Sequence, residues 1–222
     1  MDILLIGPPG AGKGTQAEKL SQLLSLRHIA SGDLFHKAFE EQSELGLKAR
    51  RYVDLGELVP DEITIPMVMR HIEEPESIQG VVLDGFPRTL AQAQTLDVEL
   101  QRLNRQLDLA IYLKVSREEL LQRLAGRFFC QANQHVYHTK FRPPKVADRC
   151  DLDGSKLYQR PDDAGEAMRR RLVIYFNQTT QVLDYYREQH KLRVVDGNQS
   201  IDQVQEMLMN EINDYMSREA KA

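Results

Sequence analysis

Short apolar runs alternate along the chain with longer segments that have the period of amphipathic helices. Each run is bounded by glycine or a polar turn, as expected for buried parallel strands. The runs predict strands at Ile3 to Ile6, Val81 to Leu83, Leu109 to Val115 and Leu192 to Val195. Capping-box spacing indicates helix starts at Ser116 with Glu119 and at Ser200 with Gln203. The alternation predicts an α/β fold with a doubly wound parallel sheet.

Two stretches interrupt this alternation and predict additional lobes. Residues 30–59 form a short, polar segment of helical character, whereas residues 127–163 contain both cysteines and many turn-forming residues. The first predicts a small helical lobe and the second a β-rich lobe. The predicted division is core at 1–29, 60–126 and 164–222, helical lobe at 30–59 and β-rich lobe at 127–163. We expect the last residues, Arg218 to Ala222, to fray.

The composition limits the class of protein. With 222 residues, of which 41% are hydrophobic and 28% charged, and a net charge of −4, the chain is typical of a soluble globular protein and not of one that coats nucleic acid. Its apolar runs are shorter than the roughly 18 residues of a membrane span, and its start lacks the basic region of a signal peptide. Two cysteines, Cys130 and Cys150, are too few for a disulfide scaffold. We therefore expect a cytoplasmic protein without a nucleic-acid or membrane partner.

A glycine-rich loop with the sequence GPPGAGKGT, from Gly7 to Thr15, follows the first predicted strand and opens a helix. Glycines let backbone N–H groups converge on a phosphate, and Lys13 can reach the β and γ phosphates. Gly14 follows Lys13, so the hydroxyl that usually binds Mg²⁺ is displaced to Thr15. We expect Mg²⁺ to be held mainly by water and phosphates, with Asp84 as an outer-sphere acceptor.

Four segments together resemble the adenylate kinase family. They are the loop GPPGAGKGTQ, SGDLF at Ser31 to Phe35, LDGFPRT at Leu83 to Thr89, and the pair Asp162 and Asp163 after Tyr158 to Arg160. The resemblance spans the chain, and the large insert is similar to the bacterial form with a long lid. It implies the fold of phosphate-loop nucleoside-monophosphate kinases, with a monophosphate-binding lobe and a lid. It also implies reversible transfer of the γ phosphoryl group of MgATP to AMP, giving two ADP.

The resemblance further implies the residues of the site. Catalytic positions are Lys13, Arg88, Arg123, Arg127, Arg160 and Arg171. ATP-binding positions are Gly10, Ala11, Gly12, Lys13, Gly14, Thr15, Arg123, Arg127, Val136, Tyr137 and Gln199. AMP-binding positions are Ser31, His36, Glu57, Leu58, Val59, Gly85, Phe86, Pro87, Arg88, Gln92, Arg160 and Arg171. The cationic set suits phosphoryl transfer, which depends on positive charge around the moving group; we interpret the neighbouring Arg169 and Arg170 as a solvated helix face.

Two positions of the AMP site stay open at this stage. Thr89 and Gln92 also have capping-box spacing, so Gln92 either completes a helix start or pairs with the adenine edge, and the resemblance favours adenine. His36 stands where the family usually has an arginine that holds the AMP phosphate. Because imidazole has an unperturbed pKa near ~6.5, we expect weak AMP binding that tightens as the pH falls toward ~6.

The cysteines of the insert indicate a variant metal site. Relatives with a lid metal use two knuckles of cysteine or aspartate, whereas here Asn133 leaves the first knuckle, at Cys130, incomplete. We expect His135 to supply the missing ligand of a structural, tetrahedral Zn²⁺ site. The expected set is Cys130, His135, Cys150 and Asp153. The alternatives are Asn133 or water as the fourth ligand, or a lid held by polar contacts with two inert thiols.

Three functional hypotheses follow. The first is an adenylate kinase that acts as a monomer on ATP, AMP and ADP with Mg²⁺. The second is a kinase for another nucleoside monophosphate, or an AMP kinase that uses GTP. The third is a non-catalytic nucleotide-binding module, against which the intact Lys13 and the arginines argue.

Overall fold

A computed structural model describes residues 1–163 and 165–220. Its strands are β1 (Ile3–Ile6), β2 (Arg27–Ala30), β3 (Val81–Asp84), β4 (Leu109–Lys114), β5 (Arg127–Cys130), β6 (Val136–His138), β7 (Leu157–Tyr158) and β8 (Leu192–Asp196). Its α-helices are α1 (Lys13–Leu24), α2 (Ser31–Glu40), α3 (Glu44–Asp54), α4 (Asp61–Glu73), α5 (Leu90–Arg102), α6 (Arg117–Ala125), α7 (Gly165–Ile174), α8 (Thr180–Glu188) and α9 (Ile201–Glu219). One turn of π-helix, Tyr175–Thr179, joins α7 to α8.

Five parallel strands form the central sheet in the order β2-β3-β1-β4-β8. Leu4 on the central strand β1 is in register with Leu83 and Ala110 on its two neighbours. Leu4 packs into the hydrophobic cluster on one face of the sheet, and the adjacent Leu5 into the cluster on the other face. Helices therefore cover both faces, and the predicted doubly wound α/β class is confirmed.

The four strands predicted from apolar runs are all present in the central sheet, and the sequence pattern missed the fifth strand of that sheet, β2. Its residues read Arg-His-Ile-Ala, and of these Ile29 alone is fully buried. A single buried position is too weak a signal to predict a strand, because edge strands carry few apolar residues. Strand β2 nevertheless pairs in parallel with β3 and leads directly into α2.

Each of the two interrupting stretches has its own small apolar cluster. Helices α2 and α3 pack around Phe35, Ala49 and Val59. The β-rich stretch forms a three-stranded antiparallel sheet in the order β6-β5-β7, and its buried cluster consists of Cys130, Tyr137, Cys150 and Leu157. So small a cluster contributes little burial, which makes additional bonds within the lid important for its stability.

The C-terminal helix α9 continues through Glu219, so Arg218 is helical rather than frayed. Residues 164, 221 and 222, which include the end of the segment expected to fray, lie outside the described residues. Among the described helices, none combines the length and the apolar character that crossing a membrane requires.

Candidate active site

The phosphate loop connects β1 to α1 through residues whose backbone requires glycine. Gly10 and Gly12 have φ of 84° and 90°, in the left-handed region that side chains disfavour. A Cβ on Gly10 would also lie 2.9 Å from Leu124 Cγ. The Lys13 ammonium folds back over the loop, where Nζ donates to the carbonyls of Gly7 at 3.0 Å and Pro8 at 3.3 Å. The loop therefore lies at the start of a helix, where backbone N–H groups are suited to bind a phosphate.

Two neighbouring cavities lie at the C-terminal edge of the sheet. The larger measures about 400 Å³ and is lined by all eleven positions expected to bind ATP. The smaller measures about 50 Å³. Of the positions expected to bind AMP, it is lined by Ser31, His36, Glu57, Leu58, Val59, Gly85, Arg88, Gln92, Arg160 and Arg171. Pro87 lines the larger cavity instead.

Phe86 is the exception among the expected AMP contacts. Its side chain is 0% exposed and belongs to the hydrophobic cluster beneath the sheet edge. The expectation that Phe86 contacts AMP is therefore wrong for its side chain, because the strand-to-loop turn points it into the core.

The two cavities meet at a wall of guanidinium groups. Arg88, Arg160 and Arg171 line both cavities, and Lys13 and Arg127 line the larger one. Within the described residues Arg88 forms no ion pair; its Nε donates to the Gly85 carbonyl at 2.6 Å. The boundary between a nucleotide-sized cavity and a smaller one is thus the most cationic part of the site.

Burial of this charge alters the acid–base properties of the site. Burial lowers the pKa of Lys13 to about 8, against the opposing effect of Asp84, and Arg88, Arg127 and Arg171 lower it further. Burial, then Arg171, lowers the pKa of Arg88 to about 10. Both shifts mean that burial and repulsion between like charges destabilise the protonated forms of Lys13 and Arg88. Bound phosphate oxygens would stabilise these forms again.

Buried carboxylates hold Arg127 and Arg171 in place. Arg127 forms a two-point ion pair with Asp163, and Arg171 Nη1 donates to Asp163 at 2.8 Å and to Asp162 at 2.6 Å. The Asp163 side chain is 0% exposed. The sequence showed this acidic pair as part of a family motif but gave no role for it, since its partners are distant in the chain. The structure assigns it the role of orienting two guanidinium groups toward the cavities.

Asp84 ends β3 opposite the phosphate loop. Its carboxylate lies 3.9 Å from Lys13 Nζ, and a Cβ on Gly14 would lie 3.4 Å from its Oδ2. The start of α1 therefore lies within van der Waals distance of this carboxylate. An acidic oxygen beside the phosphate loop, with the Thr15 hydroxyl lining the same cavity, suits a hydrated Mg²⁺ carried by a nucleotide.

Gln92 is buried, and both ends of its side-chain amide are hydrogen-bonded within the protein. Its Oε1 accepts from the Arg88 backbone N–H at 2.7 Å, and its Nε2 donates to Asp61 Oδ1 at 2.6 Å. Thr89 caps α5 by accepting from the Gln92 N–H at 3.1 Å. Gln92 thus closes the start of α5, although the N–H that donates to its Oε1 belongs to Arg88, the residue before the cap, and not to the cap residue Thr89. It also lines the smaller cavity.

His36 lines the smaller cavity beside Arg88 and Arg171, as expected. Burial, and secondarily Arg160, lower the pKa of His36 to about 4, against the opposing effects of Asp162 and Asp33. The imidazole is therefore neutral across the physiological range. The expectation that His36 becomes charged near pH 6 concerns the complex with AMP and stays a prediction, against which burial and the neighbouring Arg160 argue.

Arg170 also departs from its sequence interpretation as part of a solvated helix face. Its Nη1 donates to Glu57 Oε1 at 2.9 Å and joins α7 to the segment that lines the smaller cavity. The sequence carried no signal for this contact, since 113 positions separate the two residues.

The cysteines of the lid meet a histidine and an aspartate in one cluster. Ligand atoms of Cys130, His135, Cys150 and Asp153 all lie within 4.8 Å of one another. His135 Nδ1 is 3.3 Å from Cys130 Sγ, 3.4 Å from Cys150 Sγ and 3.3 Å from Asp153 Oδ2. Tetrahedral Zn²⁺ with bonds of roughly 2.0–2.3 Å requires ligand separations of roughly 3.3–3.8 Å. The three separations from His135 Nδ1 therefore lie within the range of a tetrahedral site.

Asn133 lies beside this cluster and donates hydrogen bonds to two of its members. Its Nδ2 donates to Asp153 Oδ2 at 3.0 Å, and its backbone N–H points to Cys130 Sγ at 3.4 Å. The His135 N–H also donates to Cys130 Sγ, at 3.2 Å. Such contacts stabilise a thiolate and orient a carboxylate ligand. The geometry favours His135 over Asn133 as the fourth ligand.

Comparison with known proteins agrees with this geometry. The sequence profile of the adenylate kinase family matches residues 5–191. The chain is 49% identical over 204 residues to an adenylate kinase of Carboxydothermus hydrogenoformans, covering 92% of this chain and 95% of the relative. It is 45% identical to adenylate kinases of Staphylococcus aureus strain Mu50 and Staphylococcus epidermidis strain RP62A, again over 204 residues that cover 92% of this chain and 95% of each relative.

Proposed function

This chain belongs to the adenylate kinase family and transfers the γ phosphoryl group of MgATP reversibly to AMP, and from that premise we propose which residues carry each part of the reaction. ATP occupies the larger cavity, with its β and γ phosphates over the loop from Gly10 to Thr15. AMP presents its phosphate in the smaller cavity. The observation that carries this assignment is the wall of Arg88, Arg160 and Arg171 that the two cavities share.

The reaction takes place across that wall. An oxygen of the AMP phosphate forms a bond to the γ phosphorus, and the bond from that phosphorus to the β–γ bridging oxygen breaks, so the electron pair leaves with ADP. Mg²⁺ supplies charge neutralisation on the ATP phosphates. Lys13 and Arg127 hold the donor phosphates, while Arg88 and Arg171 hold the acceptor. Charge fixed in advance in a site shielded from water stabilises the transition state without rearrangement.

We assign Arg123 and Arg127 to the binding of ATP, the phosphoryl donor, because both line the larger cavity. Arg123 is held by Glu119 at 2.8 Å and lies over the ring of Phe141, a lid residue that lines the same cavity. Val136, Tyr137 and Gln199 line the same cavity, and we assign them to contact with the ATP base and ribose. Closure of the lid, residues 127–163, over the donor excludes water that would otherwise accept the phosphoryl group.

On the acceptor side, Ser31 donates to the Gly85 carbonyl at 2.7 Å and holds the two walls of the smaller cavity together. Gly85 has φ of 76°, and a Cβ there would lie 2.9 Å from Ser31 Oγ. The absence of a side chain leaves room for the adenine. Gln92 contacts the adenine edge once AMP displaces one of its two internal hydrogen bonds, and the backbone at 57–59 forms the opposite wall.

The lid cluster is a structural Zn²⁺ site with the ligands Cys130, His135, Cys150 and Asp153. It has four protein ligands and thus no open position for chemistry. Its role is to connect the two turns of a lid whose apolar cluster contains four residues. Thiol ligands of this kind need a reducing compartment, which supports a cytoplasmic location.

The test is formation of ADP from ATP, AMP and Mg²⁺, compared with CMP, UMP and GMP as acceptors and GTP as donor. We expect AMP and ATP to be preferred by at least tenfold in kcat/KM, since a pocket that hydrogen-bonds the edge of the base discriminates strongly between bases. Equal rates with CMP and AMP would show that Gln92 and the smaller cavity do not recognise adenine. A preference for GTP would reassign the base contacts at Val136 and Gln199.

A further inference from the structure

Gln134 lies in the lid turn between the expected metal ligands Cys130 and His135. Its φ is 58°, in the left-handed region that non-glycine residues rarely adopt. A residue with a long side chain persists in such a conformation when the surrounding contacts determine it. The side chain of Gln134 makes several such contacts, on both of its polar atoms.

The oxygen of the Gln134 amide receives three hydrogen-bond donors. Oε1 accepts from Arg160 Nη2 at 2.8 Å and Nε at 3.3 Å, and from the Tyr158 hydroxyl at 3.1 Å. Arg160 is buried, lies 3.7 Å above the ring of Phe129 and donates to Asp33 Oδ1 at 2.7 Å. Gln134 therefore helps to orient an arginine that lines both cavities.

The nitrogen of the same amide reaches a different lobe. Nε2 donates to Glu40 Oε1 at 3.1 Å, and Glu40 is the last residue of α2. Helix α2 also supplies His36 to the smaller cavity. One side chain thus connects the lid, the shared arginine and the helix of the acceptor lobe.

We propose that Gln134 is a positioning residue that couples occupation of the ATP cavity to binding of AMP. The proposal rests on the assignment of the larger cavity to ATP and the smaller one to AMP. The hydrogen bond to Glu40 forms only when the lid lies against the acceptor lobe. Binding of the donor closes the lid, and the lid then holds α2 in the arrangement that binds the acceptor. Coupling is reciprocal, so AMP strengthens ATP binding by the same factor.

The test measures that coupling directly by calorimetry. The affinity of AMP is measured with and without an ATP analogue that has a methylene group in place of the β–γ bridging oxygen. In Gln134→Gly, which suits the left-handed backbone, we expect the coupling factor to fall about five- to tenfold. The affinities of AMP alone and of the analogue alone should change less than the coupling factor does, and Glu40→Ala, which keeps the hydrogen bonds from Arg160 to Gln134, should leave both within about twofold.

Variants at the other end of the contact complete the experiment. Glu40→Ala should reduce the coupling as Gln134→Gly does, and the double variant should show no additional loss. Gln134→Glu combined with Glu40→Gln reverses the direction of the hydrogen bond while keeping an acceptor for Arg160, so it should restore most of the coupling. Gln131→Ala, at an exposed glutamine of the same turn, is the matched control and should behave as the unmodified chain does.

Unchanged coupling in Gln134→Gly would overturn the proposal. Equal weakening of both separate affinities, or loss of lid metal in this variant, would do so as well, because either points to a purely structural role. The assignment of the acceptor cavity is tested separately by AMP binding to Arg88→Ala without the analogue. If that binding is unaffected, the cavity assignment fails; if it is lost while coupling in Gln134→Gly is normal, only the coupling proposal fails.

Discussion

Arg127 and Asp163 form a two-point ion pair in which the carboxylate is fully buried, and this pair joins the first strand of the lid to the turn that leaves it. Strand β5 begins at Arg127, and Asp163 ends the short 3₁₀ turn Pro161–Asp163. The pair therefore lies where both connections of the lid enter the core. The same carboxylate accepts a hydrogen bond from Arg171, so one acidic group organises two cationic ones.

Asp163→Ala should be strongly destabilising, because it leaves buried guanidinium groups without their partner. We expect a loss of about 3 kcal/mol in the free energy of unfolding and a fall in kcat on the order of 100-fold. Denaturant unfolding and steady-state kinetics measure the two effects. Asp184→Ala removes an exposed partner of Arg187 and should cost less than about 1 kcal/mol. Equal losses in the two variants would contradict the organising role of Asp163.

Lys13 should take up a proton when nucleotide binds at alkaline pH. Its pKa is about 8 in the folded chain, whereas the unfolded value is about 10.4. The folded chain releases this proton first, so the contribution of Lys13 to folding stability is least favourable below pH 8 and improves as the pH rises toward about 10.4. Bound phosphates raise the pKa again. At pH 8.5 we expect uptake of about 0.7 proton per MgATP, measured by calorimetry in buffers of different ionisation enthalpy.

The matched variant for that measurement is Lys13→Met. It should bind MgATP without this proton uptake and should lower kcat by at least about 100-fold, because the ammonium stabilises charge that is greatest in the transition state. Lys19→Met changes an exposed lysine on the same helix and should retain the uptake. Uptake that persists in Lys13→Met would assign the proton to another group.

AMP should bind less tightly as the pH falls from 8 to 6. His36 stays neutral there because its pKa is about 4, while the phosphate of AMP, with a second pKa near ~6, loses its dianionic form. We expect affinity to fall about two- to threefold at pH 6. His36→Asn should retain this pH dependence, as should the exposed control His190→Asn. Tighter binding at pH 6 that disappears in His36→Asn would show that the imidazole becomes charged in the complex.

Removal of the lid metal should lower stability more than turnover. Elemental analysis should find about one Zn²⁺ per chain, and chelation should lower the melting temperature. His135→Ala should lose the metal. Asn133→Ala should keep it with affinity reduced by about 10- to 100-fold, since Asn133 orients the ligand Asp153 without binding the ion. If His135→Ala retained the metal and Asn133→Ala lost it, Asn133 and not His135 would be the fourth ligand.

Local patterns predicted the parts of the fold that depend on local chemistry. The phosphate loop from Gly7 to Thr15 was predictable because strand, glycines and lysine are contiguous. Strand β2 was not, since one buried residue in four carries almost no periodicity. The cap at Thr89 was predictable from spacing, but the hydrogen bond from Gln92 to Asp61 joins residues 31 positions apart and has no sequence signature.

The electrostatic properties of the site were the least predictable. His36 has an ordinary sequence environment, and its low pKa arises from burial and from Arg160, which lies on the far side of the lid in sequence. The ion pairs of Asp163 and the contacts of Gln134 likewise join distant segments. Which distant charges pair depends on tertiary packing. A local sequence pattern therefore does not predict these pairs.

The most direct test of the site is steady-state kinetics of Arg88→Ala with both substrates varied. Arg88 lies on the wall between the two cavities and within the described residues has no acidic partner, so its charge is available to the acceptor phosphate. We expect KM for AMP to rise at least about tenfold and kcat to fall about 100-fold, with KM for ATP within about threefold of the unmodified chain. A rise in KM for ATP with an unchanged KM for AMP would contradict the assignment of the smaller cavity to the acceptor.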